Sequence, residues 1–237
     1  METTNKIPKK IHYCRFGGKP KPNDFLTYLE TWKKNCPDYE IIEWNENNFD
    51  INSCEYSKKA YENKKWAFVV DYVRFAVLEK EGGIYMDTDV EVCKNLDRFL
   101  TDSCFLGFQE KIAVDGAIIG AEKNHPFVSE MVKFYKNYKG NRNPVLPYLT
   151  TKILRKFGLK TNNQEQILDS GIHIYKNHFF YPFAYYEKPS KDMITDETYA
   201  IHWYRGSWLP AWVVKYSFPI IGVWKKIENK LIKRTND

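Results

Sequence analysis

A chain of 237 residues with 43% hydrophobic and 16% aromatic residues can bury a sizeable core, as one large domain or two small ones. Its cysteines, Cys14, Cys36, Cys54, Cys93 and Cys104, are odd in number, scattered and without a CxxC pair, which argues against a disulfide framework or zinc ribbon and for free thiols in a reducing cytoplasm. The net charge is +6, and from Pro210 onward Lys215, Lys225, Lys226, Lys230, Lys233 and Arg234 face only Glu228 and Asp237. The opening METTNKIPKK has no apolar run, so no signal peptide is expected. No stretch of about 18 apolar residues predicts a transmembrane helix.

In chain order, Lys10–Tyr13 reads as a first strand and Phe16–Pro22 (FGGKPKP) as a loop. Asn23 can cap a helix running to Asn35, with Leu26, Leu29 and Trp32 on its inner face and Pro37 beyond its end. Tyr39–Trp44 is a second strand, followed by a helical stretch near Ser53–Asn63. This order predicts an α/β domain with a largely parallel sheet. Trp66–Lys80 is apolar on almost every face, as in a buried helix, with Gly82 and Gly83 at its C-cap. Ile84–Met86 is a strand, then come Asp87-Thr88-Asp89 and extended Val90–Val92. Strands at Cys104–Phe108 and Ala117–Ala121 and a helix from Pro126 to Tyr138 follow. Further helical stretches are expected at 147–157 and 164–168, an extended aromatic run at 172–181 and a late strand at Tyr199–Trp203.

Chemistry concentrates in 71–89, DYVRFAVLEKEGGIYMDTD. Asp87 and Asp89 follow an apolar strand, at the end of a sheet where α/β proteins bind ligands. In an extended chain both point to one side. Two hard oxygen donors there suit Mn²⁺ or Mg²⁺, and a cation relieves their repulsion. Asp71 and Arg74 share one helix face, either as an internal ion pair or as groups reading sugar hydroxyls and phosphate.

Asp71, Arg74, Gly82-Gly83, Tyr85, Asp87 and Asp89 resemble the DxD sugar transferases of glycosyltransferase family 32. That group includes bacterial capsule and lipopolysaccharide transferases and the yeast initiating α-1,6-mannosyltransferase, and is related to the large clostridial glucosylating toxins. Ile7–Tyr13 and the late Ile201-His202-Trp203 with Gly206-Ser207-Trp208 extend the resemblance over residues 7–208. It implies a GT-A fold, a Rossmann-like mixed sheet flanked by helices, as one catalytic domain over 1–208. It further implies retention of configuration, a nucleotide-diphosphate sugar (UDP-hexose or GDP-mannose) and a divalent metal. Asp71, Arg74, Asp87 and Asp89 are the implied catalytic group, and Asp87, Asp89 and His202 the metal set. Ile11, His12, Tyr13, Tyr85, Asp115, Ser207 and Trp208 are implied around the nucleotide sugar. No carboxylate is assignable as a covalent nucleophile; an inverting route would need Asp115 or Glu110 as base.

The segment 209–237 sets Ile220, Trp224, Ile227 and Leu231 beside basic residues, a basic amphipathic appendage suited to an anionic membrane surface or to packing on the domain. The expectation is a hexosyltransferase, peripheral on the inner face of the cell membrane. It would act on a saccharide or lipid-linked saccharide acceptor in capsular polysaccharide, O-antigen or lipopolysaccharide synthesis. A sugar nucleotidyltransferase and a non-catalytic nucleotide-sugar-binding module are the rivals. Nucleic-acid binding is not expected, because the basic tail lies away from the proposed cleft.

Overall fold

The computed structural model describes residues 4–110 and 112–206. The domain boundary at 208, Ser207, Trp208 and the basic appendage lie outside the described residues.

Among the described residues, ten strands and five α-helices follow in the order β1 (Lys10–Cys14), α1 (Asn23–Asn35), β2 (Glu40–Trp44), α2 (Glu55–Glu62), α3 (Trp66–Glu81), β3 (Gly83–Met86), β4 (Val90–Val92), β5 (Cys104–Glu110), β6 (Ala113–Val114), β7 (Ile118–Ala121), α4 (Pro126–Asn137), α5 (Leu146–Leu154), β8 (Gln166–Ile167), β9 (Ile172–Tyr175) and β10 (Ala200–His202). The main sheet runs β2-β1-β3-β7-β5-β9-β8, with β6 paired on β5. The expected largely parallel sheet is in fact mixed. β1 is parallel to β2 and β3, and β5 to β9, but β7 lies antiparallel to both of its neighbours.

Both faces of the sheet are covered at its centre, where β3, β7 and β5 are buried along nearly their whole length, while β2 and β8 at the edges are partly exposed. Alternation along β3 sends Ile84 and Met86 into a core shared with Phe25, Leu29 and Trp32 of α1. Tyr85 points the other way, into a core built with α3 and α4 through Val73, Phe75, Phe127 and Met131. On α1 the buried stripe is Phe25, Leu29 and Trp32. Leu26, expected inside, is exposed, because a 4-then-3 spacing tracks the helix face better than 3-then-3. Pro22, not Asn23, holds the N-cap position. The segment 164–168, expected as helix, contributes the short edge strand β8.

The sharp entry into β3 needs glycine twice. Gly82 (φ 64°) caps α3 and Gly83 (φ 104°) opens the strand, both in left-handed backbone. A Cβ on Gly83 would sit 2.8 Å from His12 Nε2. Its absence lets the His12 ring donate from Nε2 to the Gly82 carbonyl at 2.8 Å, while Nδ1 accepts from the Trp44 indole at 3.1 Å. This pairing fixes a neutral tautomer.

A second, two-stranded sheet pairs β4 with β10, antiparallel, setting His202 opposite Val90. Among the described residues, no strand lies beside the outer edge of β4. Side chains of α1 serve instead: the Trp32 indole donates to Val90 O at 2.8 Å, Asn35 Nδ2 donates to Val92 O at 2.7 Å, and Thr31 Oγ1 accepts from Val92 N–H at 3.0 Å. The edge is therefore satisfied without a further strand.

Burial pushes the pKa of His12 from 6.5 down to about 4, against the pull of the Gly82 carbonyl. As pH falls the unfolded chain takes up this proton first, so the contribution to stability is complete above the ordinary histidine pKa and drains away toward the depressed one. We predict that the gap in unfolding free energy between wild type and His12→Gln shrinks by about 2 kcal/mol between about pH 7 and pH 5. Urea unfolding at each pH measures it. A gap that stays constant would show that His12 is not held neutral.

Candidate active site

Three elements converge at the C-terminal end of β3. α3 carries Asp71 and Arg74 one turn apart, β3 ends in Tyr85 and then Asp87, and the β6–β7 link carries Asp115 and Gly116. Arg74 is almost fully buried. Its Nη1 donates to the Gly116 carbonyl at 2.7 Å and lies 3.2 Å from Asp87 Oδ1, while Nη2 donates to Asp71 Oδ1 at 3.3 Å. The guanidinium also lies over the Tyr85 ring, 4.7 Å from its centroid. The Tyr85 hydroxyl donates to the same Asp87 oxygen at 2.7 Å. The Asp71–Arg74 ion pair, one of two readings open from the sequence, is thus part of a larger network.

The DxD tripeptide is a turn rather than the extended segment expected from the sequence. Val90 N–H donates to the Asp87 carbonyl at 3.1 Å, and Asp87 N–H donates to Ala117 O at 2.9 Å. The two carboxylates still share one side, because the turn feeds directly into β4 and β4 pairs with β10. That pairing brings His202, 113 positions beyond Asp89 in the sequence, to the turn. His202 Nε2 is 3.2 Å from Asp89 Oδ1. Backbone donors complete the grip: Arg205 N–H donates to Asp89 Oδ2 and Trp203 N–H to the Asp89 carbonyl, both at 2.9 Å. One donor atom from each of Asp87, Asp89 and His202 can be chosen so that all lie within 4.8 Å of one another.

Asp115 closes the site on the other flank. Its Oδ1 accepts from Gly116 N–H at 2.6 Å, and its Oδ2 lies 3.6 Å from His202 Nδ1. That nitrogen is buried and has no hydrogen-bond partner, as is true of Arg74 Nε and the Tyr204 hydroxyl. The Tyr204 ring covers His202, with centroids 4.2 Å apart.

Four carboxylates thus surround one guanidinium and one imidazole. Burial raises Asp71 to about 7, with Arg74 pulling the other way and Asp87 and Asp115 adding to the rise. Arg74 cannot hold Asp71 ionised because its shorter contacts go to Gly116 and Asp87. Burial likewise raises Asp115 against the pull of His202. Burial also opposes ionisation of Asp89, but His202 and the Arg205 N–H together hold it below its usual range. Burial disfavours the His202 imidazolium, yet Asp89, Asp115 and Asp87 carry it up to about 9. A site that holds a proton this tightly on an imidazole is one short of positive charge. Two carboxylates and an imidazole with that deficit fit a divalent cation.

The site gathers Asp71, Arg74, Tyr85, Asp87, Asp89, Asp115 and His202 from the residues named in the sequence. Three others point elsewhere. Ile11 lies in the hydrophobic core. The His12 ring has both nitrogens engaged inside the protein. The Tyr13 hydroxyl donates to Glu43 at 2.7 Å and accepts from Lys21 at 3.1 Å. Glu110 ends β5, half-buried. Sequence reasoning did not name Tyr204 or Arg205, although both stand in the late segment that carries His202. Arg205 further pairs with Asp24 of α1, tying that segment to the start of the helix.

Residues 22–106 match the family model of the glycosyltransferase sugar-binding region containing the DXD motif. The chain is 28% identical over 156 residues to mannosyl phosphorylinositol ceramide synthase SUR1 of Saccharomyces cerevisiae, covering 61% of this chain and 38% of that protein. It is 32% identical over 143 residues to lactosylceramide 4-alpha-galactosyltransferase of Rattus norvegicus, covering 56% and 39%. The chain therefore spans about two fifths of the length of these curated relatives. Among solved structures, the PaToxG glycosyltransferase superposes with a TM-score of 0.52 at 20% identity, over 63% of this chain and 69% of that one. The shared architecture is the GT-A glycosyltransferase fold. Over residues 22–106 the chain is therefore similar to the glycosyltransferase sugar-binding region that contains the DXD motif.

Proposed function

We propose that the protein transfers a hexose from a nucleotide-diphosphate sugar to a hydroxyl of a saccharide acceptor, with a divalent cation at Asp87, Asp89 and His202. The observation that carries this reading is the convergence of that donor set with the buried Asp71–Arg74 pair, of which Asp71, Arg74, Asp87 and Asp89 lie inside the segment that matches the family model and His202 beyond it. Mn²⁺ or Mg²⁺ held there supplies positive charge against the departing diphosphate.

The chain's own residues divide the remaining work. Asp71 reaches the site from α3 and accepts hydrogen bonds from hydroxyls of the donor sugar. Arg74 acts as a positioning residue: with both Nη groups engaged by Asp71, Asp87 and Gly116, it fixes these groups relative to one another and supplies a fixed positive field. Tyr85 orients Asp87 through its hydroxyl. Arg205 N–H keeps Asp89 turned toward His202. Asp115, on the far side of His202, faces the space in which donor sugar and acceptor meet. Ser207 and Trp208 follow directly in sequence and are proposed to close over the diphosphate, with the indole N–H as a donor. With no carboxylate assigned as a covalent nucleophile, attack on the same face as the leaving phosphate, with retention, is the preferred route.

UDP-hexose and GDP-mannose both suit this chemistry as donors. The relatives named above are a mannosyl phosphorylinositol ceramide synthase and a lactosylceramide 4-alpha-galactosyltransferase, which supports a lipid-linked acceptor. Capsular, O-antigen and lipopolysaccharide precursors belong to the same chemical class. We propose that the protein works on such an acceptor at the inner face of the cell membrane. Among the described residues, no helix is long and apolar enough to cross a membrane.

Asp89→Asn preserves an oxygen for the Arg205 N–H and removes the charge. We predict a fall of at least about 100-fold in release of sugar from a UDP-hexose and GDP-mannose panel, similar to that produced by EDTA in wild type. Mn²⁺ with a nucleoside diphosphate should raise the melting temperature of wild type and not of the variant. Full turnover in Asp89→Asn would defeat the metal assignment. Turnover absent from wild type with every donor would favour a binding module, and pyrophosphate-dependent nucleotidyl transfer would favour a nucleotidyltransferase.

Assignment of the product anomer by NMR tests the route. Retention is expected. Inversion would instead make Asp115 or Glu110 the general base, and Asp115→Asn would then abolish transfer while leaving donor binding intact.

A further inference from the structure

The stretch 131–164 contains eight cations, Lys133, Lys136, Lys139, Arg142, Lys152, Arg155, Lys156 and Lys160, and no acid. Only Lys133 and Lys156 pair with a carboxylate, both with Glu130; the other six form no ion pair among the described residues. Within this stretch α5 buries Leu146, Leu149, Thr150, Thr151, Ile153 and Leu154. That inner face leaves Val145, Tyr148, Lys152 and Arg155, at spacings of three, four and three, pointing outward. Val145 is 54% exposed and Tyr148 67% exposed. Beside them, Val114 N–H donates to Thr151 Oγ1 at 2.9 Å and holds the β5–β6 turn on the helix, and Ile112 of that turn is 56% exposed. Three large apolar side chains thus stand beside a basic stretch, with Glu110 at the end of β5 and Glu130 on α4 as the neighbouring acids.

This surface borders the active site. Leu146 packs so closely on Gly116 that a Cβ there would come within 2.9 Å of it, and Gly116 is the residue whose carbonyl Arg74 grips. The first turn of α5 is therefore the rim of the flank formed by Asp115.

We propose that the outward face of α5, with the β5–β6 turn, seats the protein on an anionic lipid surface and brings the Asp115 flank to headgroup level. Ile112, Val145 and Tyr148 enter the interface, while Lys136, Lys139, Arg142, Lys152 and Arg155 meet the anionic headgroups, their long stems lying along apolar surface. A soluble polyanion would be matched by the cations but would leave the apolar crown in water, which is why a lipid surface is the better occupant. The surface is distinct from the basic segment 209–237. Its purpose rests on the lipid-linked acceptor proposed above, but the binding itself does not depend on sugar transfer.

Flotation of the full chain with vesicles of phosphatidylcholine, alone or with about one third phosphatidylglycerol, tests it. Wild type should float with the anionic vesicles only and be released by high salt. Val145→Ser/Tyr148→Ser and, separately, Lys152→Glu/Arg155→Glu should each weaken this at least about tenfold. Both variants should keep wild-type circular dichroism and wild-type metal-dependent hydrolysis of the donor in solution. Wild-type flotation by both variants, or no flotation of wild type, would overturn the proposal. So would a wild-type dimer that the variants dissociate, since the crown would then be a contact between copies. Absence of donor hydrolysis from wild type with normal flotation would count against the proposed chemistry and leave the lipid surface standing.

Discussion

A guanidinium sealed from water needs acceptors, and Arg74 gathers Asp71, Asp87 and the Gly116 carbonyl around its two Nη groups, leaving only Nε without a partner. These partners come from α3, the end of β3 and the β6–β7 link, so one side chain fixes the relative position of three elements. Removing a partner from a buried charge costs on the order of 3–5 kcal/mol, which makes the arrangement rigid. The same interaction explains the unequal acids around it. Asp87 receives both the guanidinium and the Tyr85 hydroxyl, whereas Asp71 has only the longest of the Arg74 contacts and is raised to about 7 by burial.

The second constraint is the β4–β10 pair. Its three-residue ladder would be weak alone, but α1 caps its free edge with Thr31, Trp32 and Asn35. That brace holds the DxD turn against His202 and places the backbone of Trp203 and Arg205 on Asp89. The site is therefore formed by contacts between distant parts of the chain, and the imidazole raised to about 9 marks how much negative charge they concentrate.

Local chemistry made much of this legible in the sequence. The limits of α1 and α3, the glycine break at Gly82 and Gly83 and the positions of β1, β3 and β7 follow from periodicity and punctuation that act within a few residues. What was hidden depends on partners far away. The antiparallel setting of β7 is decided by β3 and β5 on either side of it, not by its own residues. The 164–168 segment became a strand because β9 offered an edge. The DxD turn looked extended because Val90–Val92 is extended, and its bend shows only in the Val90 to Asp87 hydrogen bond. His202 could be singled out by its setting, but its contact with Asp115 could not. The basic character was read in the tail, where it is locally dense; the acid-free run at 131–164 is diluted by apolar residues and gains meaning only when α5 sets Lys152, with Arg155 just beyond its end, on the outward face beside Tyr148.

The account stands or falls on Asp87, Asp89 and His202 acting as one cation site. Anomalous diffraction from crystals grown with Mn²⁺ and a nucleoside diphosphate tests this most directly. The account predicts one strong peak bonded to side-chain atoms of these residues and to diphosphate oxygens. A peak seated instead at Asp102, His173 and Glu165, where a second histidine lies 3.2 and 2.9 Å from two carboxylates, or bound nucleotide with no peak beside Asp89, would contradict it.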